Sequence, residues 1–578
     1  MATMTAPVSF LARTCKVTGL VVDRSAERQI MAHAVTAVVW LAVGGILALL
    51  IALTRWQAVH LLPADLFYAF LSAHGMVMLI FWIIFFEIAG LIFASTVLLS
   101  SKMVWPAFGW IAYGMMLIGS IISFWLMISG EAVVMFTSYP PLAAPPLYYA
   151  SVLVFAVGAI LGCVHFFINV VAARLRGLVK TLPLFTFALM AAALLALWSL
   201  FSGAAALIPV FFWSIGMVPH VDPGAYRLLY WGLGHGAQQV NLAAMVGIWY
   251  GLATLTTGAK PLNEGLSRFA IVLYIFFIQL GSMHHLQVDP GFNTWVRNIN
   301  VSYFMYAAVM GSLIHAFSIP ASVERAMRDQ GFRNGLFSWL RHAPWGEPGF
   351  SALIISLAMF GIIGGISGVI LGGPQLNMIA HNTMTVPAHF HMTVVAGTTI
   401  AFMGISYYLV PLIFRRELML RSWAKAQPYV YGAGMGLWAL GMGLTGHWGV
   451  PRRHWDISFA AVPEGLRYNM LSLPEVNLFL GVLGIGAILA VTGGAMFVLP
   501  IVLTVFLGKR TDTPSLGKVS AVAFGPATPD PEEPHHGGFE VPGTLVLTIS
   551  FLALFVFLYG FSWFELSSIP WTIYIPSP

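Results

Sequence analysis

His74, His235, the pair His284–His285 and the triplet His389-Phe390-His391 each lie in or beside a long apolar segment. An ionisable side chain at membrane depth is costly and is usually functional. Neutral imidazole is also the commonest protein ligand for transition metals. Residues i and i+2 stand about 200° apart around a helix. His389 and His391 therefore face opposite sides and can each bind a different heme iron. Residues i and i+1 stand about 100° apart, so His284 and His285 can both lean toward one ion, with His235 as a third imidazole. His74 then pairs with one member of the triplet around a six-coordinate heme. The other member holds a five-coordinate heme facing the three-histidine metal.

Such ligands need a frame of long apolar helices. The chain has 578 residues, is 59% hydrophobic and 8% charged, and has a mean hydropathy of +0.86. Apolar runs of about 20 residues recur from end to end, which predicts an all-α polytopic membrane protein. About 13 spans are expected, the first near 31–54 and the last near 543–565. Residues 1–30 read as a cytoplasmic leader, 31–510 as the heme–metal core, 511–540 as a polar linker and 541–578 as a last helix with its tail. Leader residues Arg13, Lys16, Arg24 and Arg28 precede no short apolar stretch with a cleavage site, unlike a signal peptide.

Basic residues set the orientation. Lys102, then Arg174, Arg176 and Lys180, then Lys260 and Arg268, follow even-numbered spans. The same holds for Arg325 to Arg341, for Arg415 to Lys425, and for Lys509 and Arg510. The positive-inside rule assigns that side to the cytoplasm, which puts all six histidines in the outer half of the bilayer. The opposite loops are rich in Pro, Gly and aromatics and can cap the bundle. The net charge of +6 reflects these basic loops, not affinity for nucleic acid.

Cys15 and Cys163 belong to no CxxC or CxxCH motif, which excludes covalent heme c, an iron–sulfur cluster and a thiolate-bridged copper centre within the chain. His33, His60, His165, His220, His342 and His447 have no paired context and read as surface or interfacial. His381, His454, Arg452 and Arg453 lie in outer loops near the site. The two arginines suit heme propionates, because a guanidinium binds a carboxylate bidentately.

At these residues the chain resembles subunit I of the heme–copper oxidoreductase superfamily, nearest its B-type branch. The resemblance rests on His74-Gly75, Gly234-His235, His284-His285 followed by Asp289-Pro290-Gly291, and His381-Asn382-Thr383. It rests further on Val386-Pro387-Ala388-His389-Phe390-His391, Thr137-Ser138-Tyr139-Pro140-Pro141-Leu142 and Pro451-Arg452-Arg453, within roughly residues 30–510. It implies that His74 and His391 bind a low-spin heme b. It implies that His389 binds a high-spin heme of b or a type, and that His235, His284 and His285 bind one non-heme metal, iron or copper.

The departures from that family carry as much meaning. Oxidases of the family have a tyrosine four residues after the span-6 histidine, and here Gln239 stands there, beside Gln238 and before Asn241. An amide forms no phenoxyl radical. Cytochrome-type nitric oxide reductases have a carboxylate at that position, of which Gln239 is the neutral relative. Reducing two NO to N2O needs two electrons and breaks no O–O bond. Protons have a candidate route on the inner side: Tyr250 and Thr254 of span 6 with Ser312, His315 and Ser318 on one face of span 8. A stripe of small polar residues also serves helix packing. The family's second span-6 tyrosine falls at Val246, and an outer aspartate at Asn377. Glu87 and Glu131 have no evident role.

The sequence thus reads as a membrane-bound nitric oxide reductase of a prokaryotic inner membrane, with Gln239, Gln238, Asn241 and Tyr139 as catalytic candidates. The alternatives are a terminal O2 reductase without the usual tyrosine, and a heme protein for electron transfer or gas sensing. Expected partners are the gas (NO, with O2 as the rival), the bilayer, and an electron donor. That donor is a cupredoxin or cytochrome c type subunit, or a quinol.

Overall fold

The computed structural model describes residues 12–278, 280–456, 473–516 and 541–568. Most of the 511–540 linker, the extreme N-terminal leader and the C-terminal tail lie outside the described residues. A short hairpin pairs Ala12–Thr14 with Val21–Asp23. Among the described residues, the regular elements that follow are helices, with two isolated bridges, Thr383 to Pro451 and Arg416 to Arg510.

The helices in chain order are α1 Arg24–Arg55, α2 Ala64–Val97, α3 Pro106–Ile128, α4 Pro146–Leu175 and α5 Leu184–Ser214. Then come α6 Pro223–Thr257, α7 in two pieces (Glu264–Phe277 and Leu280–Leu286), α8 Thr294–Asp329, α9 Pro348–Gly372 and α10 Thr385–Phe414. Last are α11 Arg421–His447, α12 Pro474–Leu507 and α13 Pro542–Ser568. Among the described residues, eleven are long and apolar enough to cross a bilayer, and the two pieces of α7, bent by 53°, make a twelfth if they form one span. Helix α11 spans 27 residues but is less apolar, with Arg421, Lys425 and Gln427 in its first turns. Counting it, the helices match the expected number of about 13.

Burial sorts these helices into centre and rim. In their most apolar 18-residue stretches, 94% of α6 and 89% of α10 are buried, against 6% of α13. The two most enclosed helices are those that carry His235, His389 and His391. Their ends are well defined. The Asp222 side chain caps α6, accepting from the Ala225 amide at 2.7 Å, and Pro223 opens the first turn. Gly258, at φ +73°, ends it in the left-handed conformation that glycine adopts without a Cβ penalty. Helix α10 widens into π turns from His391 to Thr398, and α2 does so over Val77–Phe81. Such bulges are frequent at functional sites.

His33 and His165 correct an expectation. They are buried, at 1% and 2% exposure, rather than interfacial. Backbone carbonyls explain this: His33 Nδ1 donates to Gln29 O and His165 Nε2 to Val104 O. Each burial is thus supported at one ring nitrogen, while His33 Nε2 is buried without a partner. His60, His220, His342 and His447 stay at least partly exposed.

A candidate heme and metal centre

Three histidines converge where the first half of α6 meets the last turn of α7. The ligand nitrogens of His235, His284 and His285 all lie within 4.8 Å of one another. His235 Nδ1 and His285 Nε2 are 3.0 Å apart. The bend in α7 explains how neighbours in sequence share one point. Its last piece, Leu280–Leu286, is a 3-10 helix, tighter than an α-helix, which swings both rings toward α6.

Four of the six histidines share a feature that sequence could not give. Each has its Nδ1 held by a fixed oxygen. His74 Nδ1 meets Gly44 O at 3.1 Å, and His391 Nδ1 meets Pro387 O at 2.7 Å. His389 Nδ1 meets Ser367 Oγ at 3.1 Å, and His284 Nδ1 meets Gly281 O at 2.6 Å. A donating Nδ1–H leaves Nε2 as the lone-pair atom, the outer-shell arrangement of metal-bound histidine. The donor set therefore fits iron or copper. His389 faces Ser367 and Gly368 of α9, while His391 stacks toward Trp438 of α11, with ring centroids 5.2 Å apart. These different surroundings agree with opposite faces of α10. His74 lies within electrostatic reach of His391, and His284 within reach of His389.

Gln239 packs directly on His235, its side-chain amide against Nε2. With Nδ1 facing His285, the Nε2–H tautomer of His235 would need an acceptor at this contact. The two ends of an amide are exchanged by a simple flip, so the Gln239 carbonyl can be that acceptor. Gln238 is half-buried one residue earlier. Asn241 is buried but lines a cavity toward α2 instead.

Above the histidines lies a cationic cap. Arg227 pairs with Asp289 at 2.7 Å and lies 4.8 Å over the Tyr139 ring, with Arg453 at 6.0 Å. Arg297 donates to the Asp289 carbonyl. Trp231 Nε1 donates to the Tyr139 hydroxyl at 2.7 Å, and the Trp231 ring stacks on His285. Tyr139 is thus one side chain removed from the histidine cluster. Arg452 is anchored through Asn382 O, and its buried Nε has no partner, like that of Arg227. Unpaired guanidinium donors suit carboxylates such as heme propionates. Burial, with Arg452 and its cationic neighbours, pushes the His381 imidazole down to about 4. The Tyr139 phenol is pushed up by burial, against the pull of Arg227 and Arg452.

Toward the basic end of the bundle, Tyr250 OH lies 3.1 Å from His315 Nδ1 and 2.8 Å from Ser267 Oγ, with Ser318 also in reach. Tyr274 OH meets Ser312 Oγ at 3.0 Å. Thr254 is not joined to them, since its hydroxyl bonds the carbonyls of Tyr250 and Ala259. Sequence reasoning missed Ser267 and Tyr274 of α7. Their spacing of i and i+7 puts them on one helix face, a signal that was present. Glu131 is exposed beyond α3.

Fold and site together define a multi-helix membrane oxidoreductase subunit built to hold hemes and a further metal. The chain belongs to the family described as cytochrome C and quinol oxidase polypeptide I, which it matches over residues 28–489. It is 31% identical over 451 residues to cytochrome c oxidase subunit 1 of Thermus thermophilus, covering 76% of this chain and 78% of that one. It is 25% identical to the same subunit of Thermostichus vulcanus, over 67% and 69% of the two chains. A heme-copper terminal oxidase dimer solved by cryo-EM shares the fold, with a TM-score of 0.79 at 22% identity over 94% of this chain and 92% of that one. Members of this family bind hemes and a metal centre and act as oxidoreductases.

Proposed function

We propose that this subunit is a nitric oxide reductase, converting two NO, two electrons and two protons to N2O and water. The observation that carries this is the contact of Gln239 with His235. The position next to that ring holds an amide, which can fix the imidazole but cannot give up an electron and a proton as a phenol can. His74 and His391 would hold the low-spin heme b, and His389 the high-spin heme. His235, His284 and His285 would hold iron or copper. When bound, these groups supply the two electrons and the open coordination site.

The chain's own residues do the rest. Gln239 holds His235 in the tautomer that presents Nδ1. Gly281 and Ser367 orient His284 and His389. Arg452 and Arg453, with His381 beside them, hold the heme carboxylates. Tyr250, Ser267, His315, Ser312 and Tyr274 carry protons from the basic end, and Ser318 extends that line. The basic loops support a cytoplasmic N-terminus and a site toward the outer face of a prokaryotic inner membrane. Electrons arrive from a cupredoxin or cytochrome c type partner, or from quinol.

One observation favours the rival reading of a terminal O2 reductase. Tyr139 is linked through Trp231 to His285, a phenol within one aromatic ring of the site, and the relatives named above are cytochrome c oxidases. Gas turnover by the purified complex decides between them. N2O formation from NO well above the rate of O2 consumption is expected. Rapid cyanide-sensitive O2 reduction with no N2O would overturn the proposal.

A further inference from the structure

Glu87 lies in the second half of α2, beyond His74, and takes no part in the arrangement above. Its side chain is buried, with 8% exposure, and its Oε1 has no hydrogen-bond partner. An acid left so at membrane depth is costly, and such residues mark ion or proton pathways.

Two cavities share Glu87 in their linings, along with Leu189 and Ala244. The first, of about 30 Å³, is lined by Leu79, Cys163, Ser199, Leu233 and Asn241 together with Glu87. The second, of about 70 Å³, is lined by Ile30, Ser406, Ile413 and Phe414, again with Glu87. Their positions along the helices fix their depths. Ile30 is in the opening turns of α1, and Ile413 and Phe414 end α10 just before Arg415 and Arg416. That is the basic end of the bundle. Leu233 stands two residues before His235 in α6, and Leu79 five after His74 in α2. In series, the cavities run from the basic end toward the depth of the histidines. Glu87 is the ionisable group common to both.

The cavities are small and mostly apolar. A water needs roughly 10–15 Å³ of such space and two to four polar partners. The first cavity has room for a water or two near Ser199, Asn241 and Glu87, and the second for a few near Ser406 and Glu87. Neither makes a continuous wire on its own. A carboxyl between them can bridge the gap, because it takes a proton on one side and releases it on the other.

We propose that Glu87 is a proton relay, taking protons from the cavity at the basic end and delivering them toward the histidine centre. This route is separate from Tyr250 and His315. In each cycle the carboxyl O–H bond breaks as a water in the first cavity becomes hydronium. The carboxylate then takes a proton from hydronium in the second cavity. One proton moves, and nothing is oxidised or reduced at Glu87. The inference rests on the histidine centre consuming protons, which holds for NO and for O2 reduction alike.

The test uses the full complex with its hemes, with Glu87→Gln and Glu87→Asp variants. Turnover and proton uptake are measured in proteoliposomes with NO and separately with O2. Reduced-minus-oxidised infrared spectra are recorded in H2O and D2O. The Glu87→Gln variant should keep its heme spectrum but slow proton-coupled turnover by about tenfold or more. It should also lose a deuterium-sensitive carboxyl C=O band, and Glu87→Asp should recover part of the rate with the band shifted. Wild-type proton uptake in Glu87→Gln, or a band that persists in it, would overturn the relay. Should Glu87→Gln not assemble, the wild type and Glu87→Asp decide: a band that moves between them supports the relay, and no such band overturns it. An enzyme that reduces O2 and not NO would end the nitric oxide reading while leaving this test intact.

Discussion

The indole of Trp231 lies flat on the imidazole of His285, with ring centroids 3.9 Å apart and planes within 7°. The same indole donates to Tyr139 at 2.7 Å. One side chain therefore orients a histidine of the proposed metal site and ties it to the cationic cap. Replacing Trp231 with Leu removes both interactions, while Phe keeps the stacking alone. Loss of outer-shell support for a ligand weakens metal affinity by about 10–100-fold. Elemental analysis after mild chelation should find the non-heme metal lost readily from Trp231→Leu and retained better in Trp231→Phe. Equal retention in the wild type and both variants would show that the stacking does not support the site.

Gln239 allows a graded test of the reaction. Gln239→Glu keeps an acceptor for the His235 Nε2–H and should retain substantial N2O formation. Gln239→Leu removes the acceptor and should lower turnover by about tenfold or more, as the imidazole tautomer is released. Gln239→Tyr should not create an efficient O2 reductase, because its neighbours were not arranged around a phenol. Full NO activity in Gln239→Leu would remove this residue from the mechanism.

The heme ligands separate by spectrum. His74→Ala or His391→Ala should erase the low-spin signal, and His389→Ala the high-spin one. A subtler probe is Gly368, where an added Cβ would come 2.7 Å from His389 Cε1. Gly368→Ala should displace that ring at a cost of about 1–3 kcal/mol. The visible spectrum should report a shifted or partly lost high-spin heme, with the low-spin heme untouched. Both signals unchanged in His389→Ala would refute the assignment.

His454 gives a pH dependence outside the spans. Burial pushes its imidazole down to about 3, with Arg55 adding to the effect, from an ordinary 6.5. The unfolded chain therefore takes up a proton below about 6.5 that the folded chain refuses. Stability contributed by this residue is full above that pH and falls progressively between about 6.5 and about 3. Thermal unfolding in detergent should show this acid limb, and His454→Gln should flatten it. An unchanged limb in the variant would assign the loss to other groups.

The six histidines and the helices that carry them were legible in the sequence, because an ionisable residue in an apolar span is rare and helix geometry converts spacing into direction. His389 and His391 on opposite faces followed from a two-residue interval alone. The choice of nitrogen at each ring did not. It depends on carbonyls and hydroxyls from other helices, such as Gly44 of α1 beside His74 and Ser367 of α9 beside His389, and no local pattern encodes such pairs. The bend of α7 that brings His284 and His285 to His235 was equally hidden, since a continuous apolar run reads as a straight helix. Tyr274 and Ser267 joined the inner polar line only when α7 packed against α6 and α8. Asn241 turned from the centre toward Glu87 for the same reason: composition sets which residues are buried, but only packing decides which neighbour each one meets.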